Sequence, residues 1–188
     1  MAELRVARSE LILGGQKSGK TRRAEDLAAV WLAQSDAHRA VYIATAQPWD
    51  DEMRERIARH RNDRAQRVPR METVEQADEL AHAIGKHSEA NTLIVVDCLT
   101  LWLTGLLMPA VERPVTEAAP HHLADSVAAC KGPLVLISNE IGLGVVPLGR
   151  EVRGFVDALG TLNQAAAAAC ERVTLMSAGL PMLLKGSA

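Results

Sequence analysis

The feature that most constrains the fold of this 188-residue chain is a glycine-rich segment between an apolar run and a helical stretch. Residues 14–21 read GGQKSGKT and match the pattern G-x-x-x-x-G-K-[ST] throughout. Glycines in such a loop let successive backbone N–H groups turn towards phosphate oxygens at the positive end of a helix dipole. The pattern predicts a nucleotide phosphate site, and the alternative is a glycine turn followed by an ordinary helix.

The residues of this loop have distinct expected roles. Lys20 is expected to reach the terminal phosphates and Thr21 to ligate Mg²⁺ through its hydroxyl. Asp97 ends the apolar run LIVVD and is the expected second magnesium ligand, although an aspartate there also suits a helix N-cap. The remaining loop residues expected to surround the phosphates are Gly14, Gly15, Gln16, Lys17, Ser18 and Gly19.

Short apolar runs alternate with longer segments of helical period along the chain. Strands are predicted at 10–13, 40–45, 92–97, 133–138 and 173–177, and helices at 20–33, 50–64, 74–87, 99–107, 121–129 and 150–170. Nearly continuous apolar strands that alternate with helices indicate a mostly parallel sheet covered on both faces. We therefore expect one α/β domain over residues 1–188, a three-layer sandwich of the P-loop NTPase (RecA-like) type. Residues 1–8 are expected to be a loose extension, and the proline-rich segment 109–120 a surface excursion.

Composition excludes several classes of partner. The chain has 21 basic and 23 acidic residues and only 3% aromatic residues, which disfavours nucleic-acid binding. The apolar runs are shorter than the roughly 18 residues of a membrane span. The cysteines Cys98, Cys130 and Cys170 form no metal-binding or disulfide pattern, so we expect reduced thiols in a cytoplasmic protein.

A predicted helix from residue 50 carries a histidine beside many arginines. Met53, Ile57 and His60 fall on one helix face, which places His60 on the expected inward stripe. Five arginines lie between residues 59 and 70, one before His60 and four after it. A partly buried core histidine beside a solvated arginine face is one interpretation. The other is a nucleophilic imidazole that attacks an activated phosphorus next to a polyphosphate clamp.

Further segments make the chain resemble one family closely. It is similar to the bifunctional adenosylcobinamide kinase / adenosylcobinamide-phosphate guanylyltransferases of cobalamin biosynthesis. The resemblance covers nearly the whole chain from residue 9, and its most specific segment is 139–147. The segments that carry it are GGQKSGKT (14–21), YIATAQ (42–47), DDEM (50–53), His60, DCLT (97–100), NEIGLGVVP (139–147) and the C-terminal Gly179-Leu180-Pro181 with Lys185.

The resemblance implies two reactions. The protein would phosphorylate adenosylcobinamide with a nucleoside triphosphate, ATP or GTP. It would then transfer GMP from GTP through a guanylyl group on His60, giving adenosylcobinamide-GDP. Mg²⁺ is the implied metal ion and a homotrimer the implied assembly. The implied GTP contacts outside the loop are Thr45, Ala46, Gln47, Arg61, Asn62, Asp63, Arg64, Glu75 and Asp97.

Two alternatives remain open from the residues alone. One is a small-molecule kinase in which His60 is structural, and the other is a regulatory subunit that uses the phosphate loop as a nucleotide switch. The segment 139–147 disfavours both, because neither needs a long, glycine-containing loop at the carboxyl end of a strand, where open α/β sheets bind ligands.

Overall fold

The computed structural model describes residues 4–108 and 119–187. The strands are β1 (Ser9–Gly14), β2 (Arg39–Ala44), β3 (Met71–Glu75), β4 (Thr92–Asp97), β5 (Leu134–Asn139), β6 (Arg172–Ser177) and β7 (Leu180–Lys185). The helices are α1 (Lys20–Ala33), α2 (Asp51–Arg67), α3 (Leu80–His87), α4 (Leu99–Leu107), α5 (Ala119–Ala129) and α6 (Arg150–Ala169).

The strands form one seven-stranded sheet in the order β3-β2-β4-β5-β1-β6-β7. All neighbouring strands pair in parallel except β6 and β7, which are antiparallel. Strand β5 lies between β1, which leads into the glycine-rich loop, and β4, which ends at Asp97. The predicted α/β sandwich with a mostly parallel sheet is confirmed.

Two apolar layers flank the sheet, because successive strand residues point to opposite faces. In β4, Ile94 and Val96 pack into the larger cluster with α3, α4, α5 and α6. Leu93 and Val95 pack into the smaller cluster with α1 and the segment that follows α2. Burial on both faces explains why the central strands have continuous apolar sequences.

Both edge strands were missed by the sequence prediction. Strand β3 pairs only with β2 and has a mixed polar and apolar sequence without a clear period, so no strand was predicted there, and its last two residues were included in a helix predicted at 74–87. That helix begins only at Leu80. Strand β7 is exposed along its whole length and is joined to β6 by a turn with positive φ at Ala178 and Gly179.

The expectation of a loose N-terminal segment is wrong for residues 4–8. Leu4 and Val6 pack against the smaller core cluster. The carbonyl of Arg8 accepts from the amide of Leu134, and its guanidinium donates to two carbonyls at the end of α5. Of the proline-rich segment 109–120, residues 109–118 lie outside the described part of the chain, and the last two residues begin α5.

None of the described helices combines the length and the apolar character that a bilayer crossing requires.

A buried carboxylate connects β1 to the elements on either side of it. Glu10, only 1% exposed, accepts hydrogen bonds from Arg23 Nε of α1 at 2.9 Å and from Thr174 Oγ1 of β6 at 2.8 Å. Arg172 Nη1 lies 3.4 Å from its other oxygen. The network fixes α1 against the strand that carries the phosphate loop.

Replacing Glu10 with alanine should lower the free energy of unfolding by about 3–5 kcal/mol, because two nearly buried guanidinium groups lose their carboxylate. Urea unfolding measures the change. Glu72→Ala is the matched control, since its pair with Arg39 is exposed on both sides and should contribute less than about 1 kcal/mol. Equal losses in the two variants would contradict the role of the buried network.

Candidate active site

The glycine-rich loop joins the carboxyl end of β1 to the N-terminus of α1. Gly19 is the N-cap residue with φ of 101°, and Lys17 also has a positive φ, of 57°. No acidic side chain occupies the first turn of α1. Backbone N–H groups and a positive helix end therefore face the same space, which is an arrangement that binds phosphate oxygens.

Gly14, the last residue of β1, lies close to β6 and to Ser18 of the loop. A Cβ at this position would lie 2.5 Å from Met176 O of β6 and 2.5 Å from Ser18 Oγ. The Ser18 carbonyl accepts from the amide of Gly179, in the turn between β6 and β7. The loop is thus fixed from both ends, while Gly15, Gln16 and Lys17 form its exposed tip.

Lys20 points back into the loop. Its Nζ donates to Gly14 O at 2.9 Å and to Gly15 O at 2.7 Å, and the side chain is buried. Burial lowers the pKa of the Lys20 ammonium, and the nearby Asp97 carboxylate opposes this shift. The arrangement holds a cation directly beside the loop amides.

Asp97 and Thr21 meet across β5. Thr21 Oγ1 donates to Asp97 Oδ2 at 2.8 Å, and Tyr42 Oη donates to the same oxygen at 2.5 Å. The N-cap alternative is not supported, because Cys98 occupies the cap position of α4 and no side-chain cap hydrogen bond forms. A hydroxyl and a carboxylate at this spacing are the hard oxygen donors that Mg²⁺ prefers, so these residues fit that ion.

No cluster of three or more His, Cys, Asp or Glu side chains in the described residues could hold a metal ion by itself.

The segment 45–47 continues β2 past the edge of the sheet. Thr45 is 1% exposed, and its Oγ1 donates to Cys98 O at 2.7 Å and accepts from Cys98 N at 2.8 Å. Its side chain is therefore used to fix the backbone beside Asp97. Ala46 and Gln47 are partly exposed next to it, and only these two present side-chain surface.

His60 lies where the sequence predicted a helix, but it is exposed instead of inward-facing. Only the last turns of α2 pack against the sheet: Arg64 and the following Val68 are buried, whereas Met53 and Ile57 are only partly so. His60 precedes Arg64 by one turn and shares its helix face. The interpretation of a partly buried core histidine is therefore wrong.

The residues after His60 take separate places. Arg61 lies near Glu75 at the end of β3, with 3.6 Å between Nη1 and Oε1 and both side chains exposed. Asn62 is exposed and Asp63 half-buried. Arg64 is 4% exposed, stacks on the Tyr42 ring and donates to Thr73 Oγ1. Arg61 and Glu75 therefore form an exposed pair, whereas Asp63 lies 3.8 Å from Arg67 of the same helix.

The arginine run is not one phosphate clamp. Arg67 donates to the buried Glu25 of α1 at 2.8 Å. Arg70 donates to the carbonyls of Leu32, Asp36 and His38. Of the five arginines, the last three are thus engaged in holding α2 and the segment after it.

Sequence reasoning missed three polar residues of this edge. Tyr42 is the only tyrosine of the chain and stands near the end of a strand, which was the available signal. The Thr100 hydroxyl accepts from the backbone amide of Asn139. The buried Asn163 of α6 donates to the backbone carbonyl of the same Asn139. These contacts fix the end of β5, whose next amide, Glu140 N, donates to Gly14 O.

The loop, the lysine and the Thr21–Asp97 pair at the carboxyl edge of a parallel sheet define a P-loop nucleotide-binding protein. A family model described as cobinamide kinase / cobinamide phosphate guanyltransferase matches residues 10–184. The chain belongs to this family.

Curated relatives agree over nearly their full length. The chain is 48% identical over 178 residues to the bifunctional adenosylcobalamin biosynthesis protein CobP of Pseudomonas aeruginosa, covering 94% of this chain and 97% of that protein. It is 34% identical over 188 residues to the bifunctional adenosylcobalamin biosynthesis proteins CobU of Escherichia coli and Salmonella typhimurium, in each case covering 93% of this chain and 98% of the relative.

Replacing Gly14 with alanine should weaken GTP binding at least about tenfold and lower the free energy of unfolding by about 1–3 kcal/mol, because the new methyl group overlaps the backbone oxygen of Met176 and the hydroxyl of Ser18 in the loop. Isothermal titration and urea unfolding measure the two effects.

Gly15→Ala is the matched control for stability, since a Cβ there meets nothing within 4 Å. Its free energy of unfolding should change by less than about 0.5 kcal/mol. If Gly14→Ala were as stable as Gly15→Ala, the close approach at Gly14 would be refuted.

All three thiols should resist modification in the folded protein. Cys98, Cys130 and Cys170 are free and buried, and burial raises the pKa of Cys98 and of Cys170 to about 12. A thiol reagent attacks the thiolate, so these two groups stay protonated and unreactive near pH 8. Ellman's reagent should react slowly with the native protein and rapidly in guanidinium chloride. A thiol that reacts equally fast in both conditions would contradict the burial.

Proposed function

We propose that this protein phosphorylates the aminopropanol hydroxyl of adenosylcobinamide with a nucleoside triphosphate, and then transfers GMP from GTP through a guanylyl group on His60 to adenosylcobinamide phosphate. The product of the second reaction is adenosylcobinamide-GDP. The membership of the family and the names of the curated relatives support the two activities. The observation that carries the second is the exposed His60 on a helix whose last turns contact Tyr42 of β2 and Glu25 of α1, the helix that follows the phosphate loop.

In the kinase step, the substrate hydroxyl oxygen forms a bond to the γ-phosphorus, and the bond to the β–γ bridging oxygen breaks. The nucleoside diphosphate leaves, and the hydroxyl proton is released. The loop amides and the Lys20 ammonium stabilise the charge of the phosphates. Thr21 and Asp97 would hold Mg²⁺, which supplies further charge neutralisation when bound.

In the guanylyl step, a neutral imidazole nitrogen of His60 attacks the α-phosphorus, and pyrophosphate leaves. A phosphate oxygen of the phosphorylated corrinoid then attacks the same phosphorus, and the bond to the imidazole breaks. An exposed histidine suits this sequence, because two different substrates must reach it in turn. The phosphate loop would hold the leaving pyrophosphate, so that one triphosphate site serves both reactions.

The nucleotide contacts proposed with this function lie around the loop. Ala46 and Gln47 extend β2 past the sheet edge, and Arg61 and Glu75 form the exposed group beside His60. We include Asn62 and Asp63 in this group. Thr45 would act only through its backbone, because its side chain is committed to Cys98.

A cytoplasmic homotrimer is part of the proposal. Large apolar side chains are exposed on β7 and on the loop after β5, including Leu143, Val145 and Leu148. Such surface favours contact with another protein.

Two variants separate the reactions. Lys20→Ala should slow both reactions at least about a hundredfold, because both need charge stabilisation at the same phosphates. His60→Ala should abolish guanylyl transfer and leave phosphorylation of adenosylcobinamide unchanged. His82→Ala, which removes another exposed helical histidine, is the matched control. Loss of both reactions in His60→Ala would contradict the separation of roles.

The covalent intermediate has a direct assay. The protein is incubated with magnesium and GTP labelled at the α-phosphate and then denatured. Acid-labile, alkali-stable label that is absent from His60→Ala is the expected result. If the protein binds GTP but takes up no label, a simple kinase becomes the better account. If neither label nor phosphorylated corrinoid forms, a regulatory subunit that uses the loop as a nucleotide switch becomes the better account.

A further inference from the structure

Helix α2 is held to the rest of the protein mainly at its C-terminal end. From Asp51 to Asn62 its residues are exposed, apart from the half-buried Met53 and Ile57. Arg64 is the buried residue of the helix, and Val68 packs into the smaller core cluster directly after it. The buried contacts that can orient His60 therefore lie in these last turns.

The Arg64 guanidinium is committed to two strands. Its central carbon lies 3.7 Å from the centroid of the Tyr42 ring in β2. Its Nε and Nη2 donate to Thr73 Oγ1 in β3 at 3.2 and 3.1 Å. A desolvated cation over an aromatic face contributes more than an exposed one, so this contact is a substantial anchor.

The other end of Tyr42 reaches the metal-site carboxylate. Its hydroxyl donates to Asp97 Oδ2, the oxygen that also accepts from Thr21 Oγ1. One side chain thus touches both the phosphate site and the helix that carries His60.

We propose that Tyr42 and Arg64 are positioning residues for guanylyl transfer, which together hold the His60 face of α2 over the sheet edge where Thr21 and Asp97 lie. This inference rests on the proposed function. It makes Arg64 a residue that orients the nucleophile and does not contact GTP. A misplacement of about 1 Å in a nucleophile can cost on the order of a hundredfold in rate, so an orienting contact has measurable consequences.

A second contact holds the end of α2, so the role of Tyr42 and Arg64 can be tested in a protein that still folds. Arg67 is paired with the buried Glu25 of α1 and remains when Arg64 is changed. Arg64→Met keeps an unbranched side chain but removes the cation. Tyr42→Leu removes the aromatic ring that Arg64 contacts, and Tyr42→Phe removes only the hydroxyl. Arg70→Met is the matched control, because Arg70 donates to carbonyls outside α2.

The first measurement is amide hydrogen exchange over residues 51–63, which needs no catalytic activity. Arg64→Met and Tyr42→Leu should exchange faster there than the parent protein. Tyr42→Phe and Arg70→Met should match it, since the ring–cation contact is intact in both. Unchanged exchange in both Arg64→Met and Tyr42→Leu would overturn the proposal.

The second measurement is the rate at which the protein takes up label from α-labelled GTP. Arg64→Met should lower the maximal rate between about tenfold and a hundredfold at an unchanged KM for GTP. A raised KM at an unchanged maximal rate would instead show that Arg64 contacts the nucleotide, and would overturn the positioning role. Arg64→Lys, which restores a cation, should recover part of the lost rate.

The two hypotheses fail in different ways. If the parent protein takes up no label, the guanylyl-histidine route fails by itself, and the exchange rates over 51–63 still decide whether Tyr42 and Arg64 hold α2. If the parent is labelled normally while exchange and maximal rate in Arg64→Met and Tyr42→Leu equal those of the parent, the proposed function stands and the positioning role of Tyr42 and Arg64 does not.

Discussion

The carboxylate of Asp97 is the point on which the arrangement of this site depends. One of its oxygens accepts from Thr21 at the start of α1 and from Tyr42 in β2, so three separate elements meet at a single atom. The meeting requires the sheet order that inserts β5 between β1 and β4. Because the carboxyl ends of parallel strands share one edge, the loop, the carboxylate and the end of β5 are brought together there.

The two halves of the site differ in how firmly they are held. The phosphate loop is fixed by the close approach at Gly14 and by the Glu10 network behind β1. The half that carries His60 projects from the sheet on a helix anchored at one end. A rigid phosphate site favours charge stabilisation, which needs preorganised donors. In the proposed guanylyl transfer, the exposed position of His60 would let one substrate replace another.

Arginines that look alike in the sequence have different tasks in the structure. Arg61 is exposed beside Glu75, Arg64 is buried against Tyr42, and Arg67 pairs with a carboxylate of α1. The difference follows from the turn of the helix on which each residue lies and from what the sheet presents to it. A run of arginines along a helix therefore does not by itself predict which of them are exposed, buried or paired.

The sequence by itself determined the phosphate loop, the central strands and the candidate nucleophile, because each depends on neighbouring residues: glycine spacing, continuous apolar runs and helical period. Only the tertiary structure decided which side chains meet. It placed Thr21 against Asp97 across an inserted strand, exposed His60, buried Arg64 and added the edge strands β3 and β7. These outcomes depend on partners distant in the chain, and no local pattern encodes the pairing of Arg64 with Tyr42.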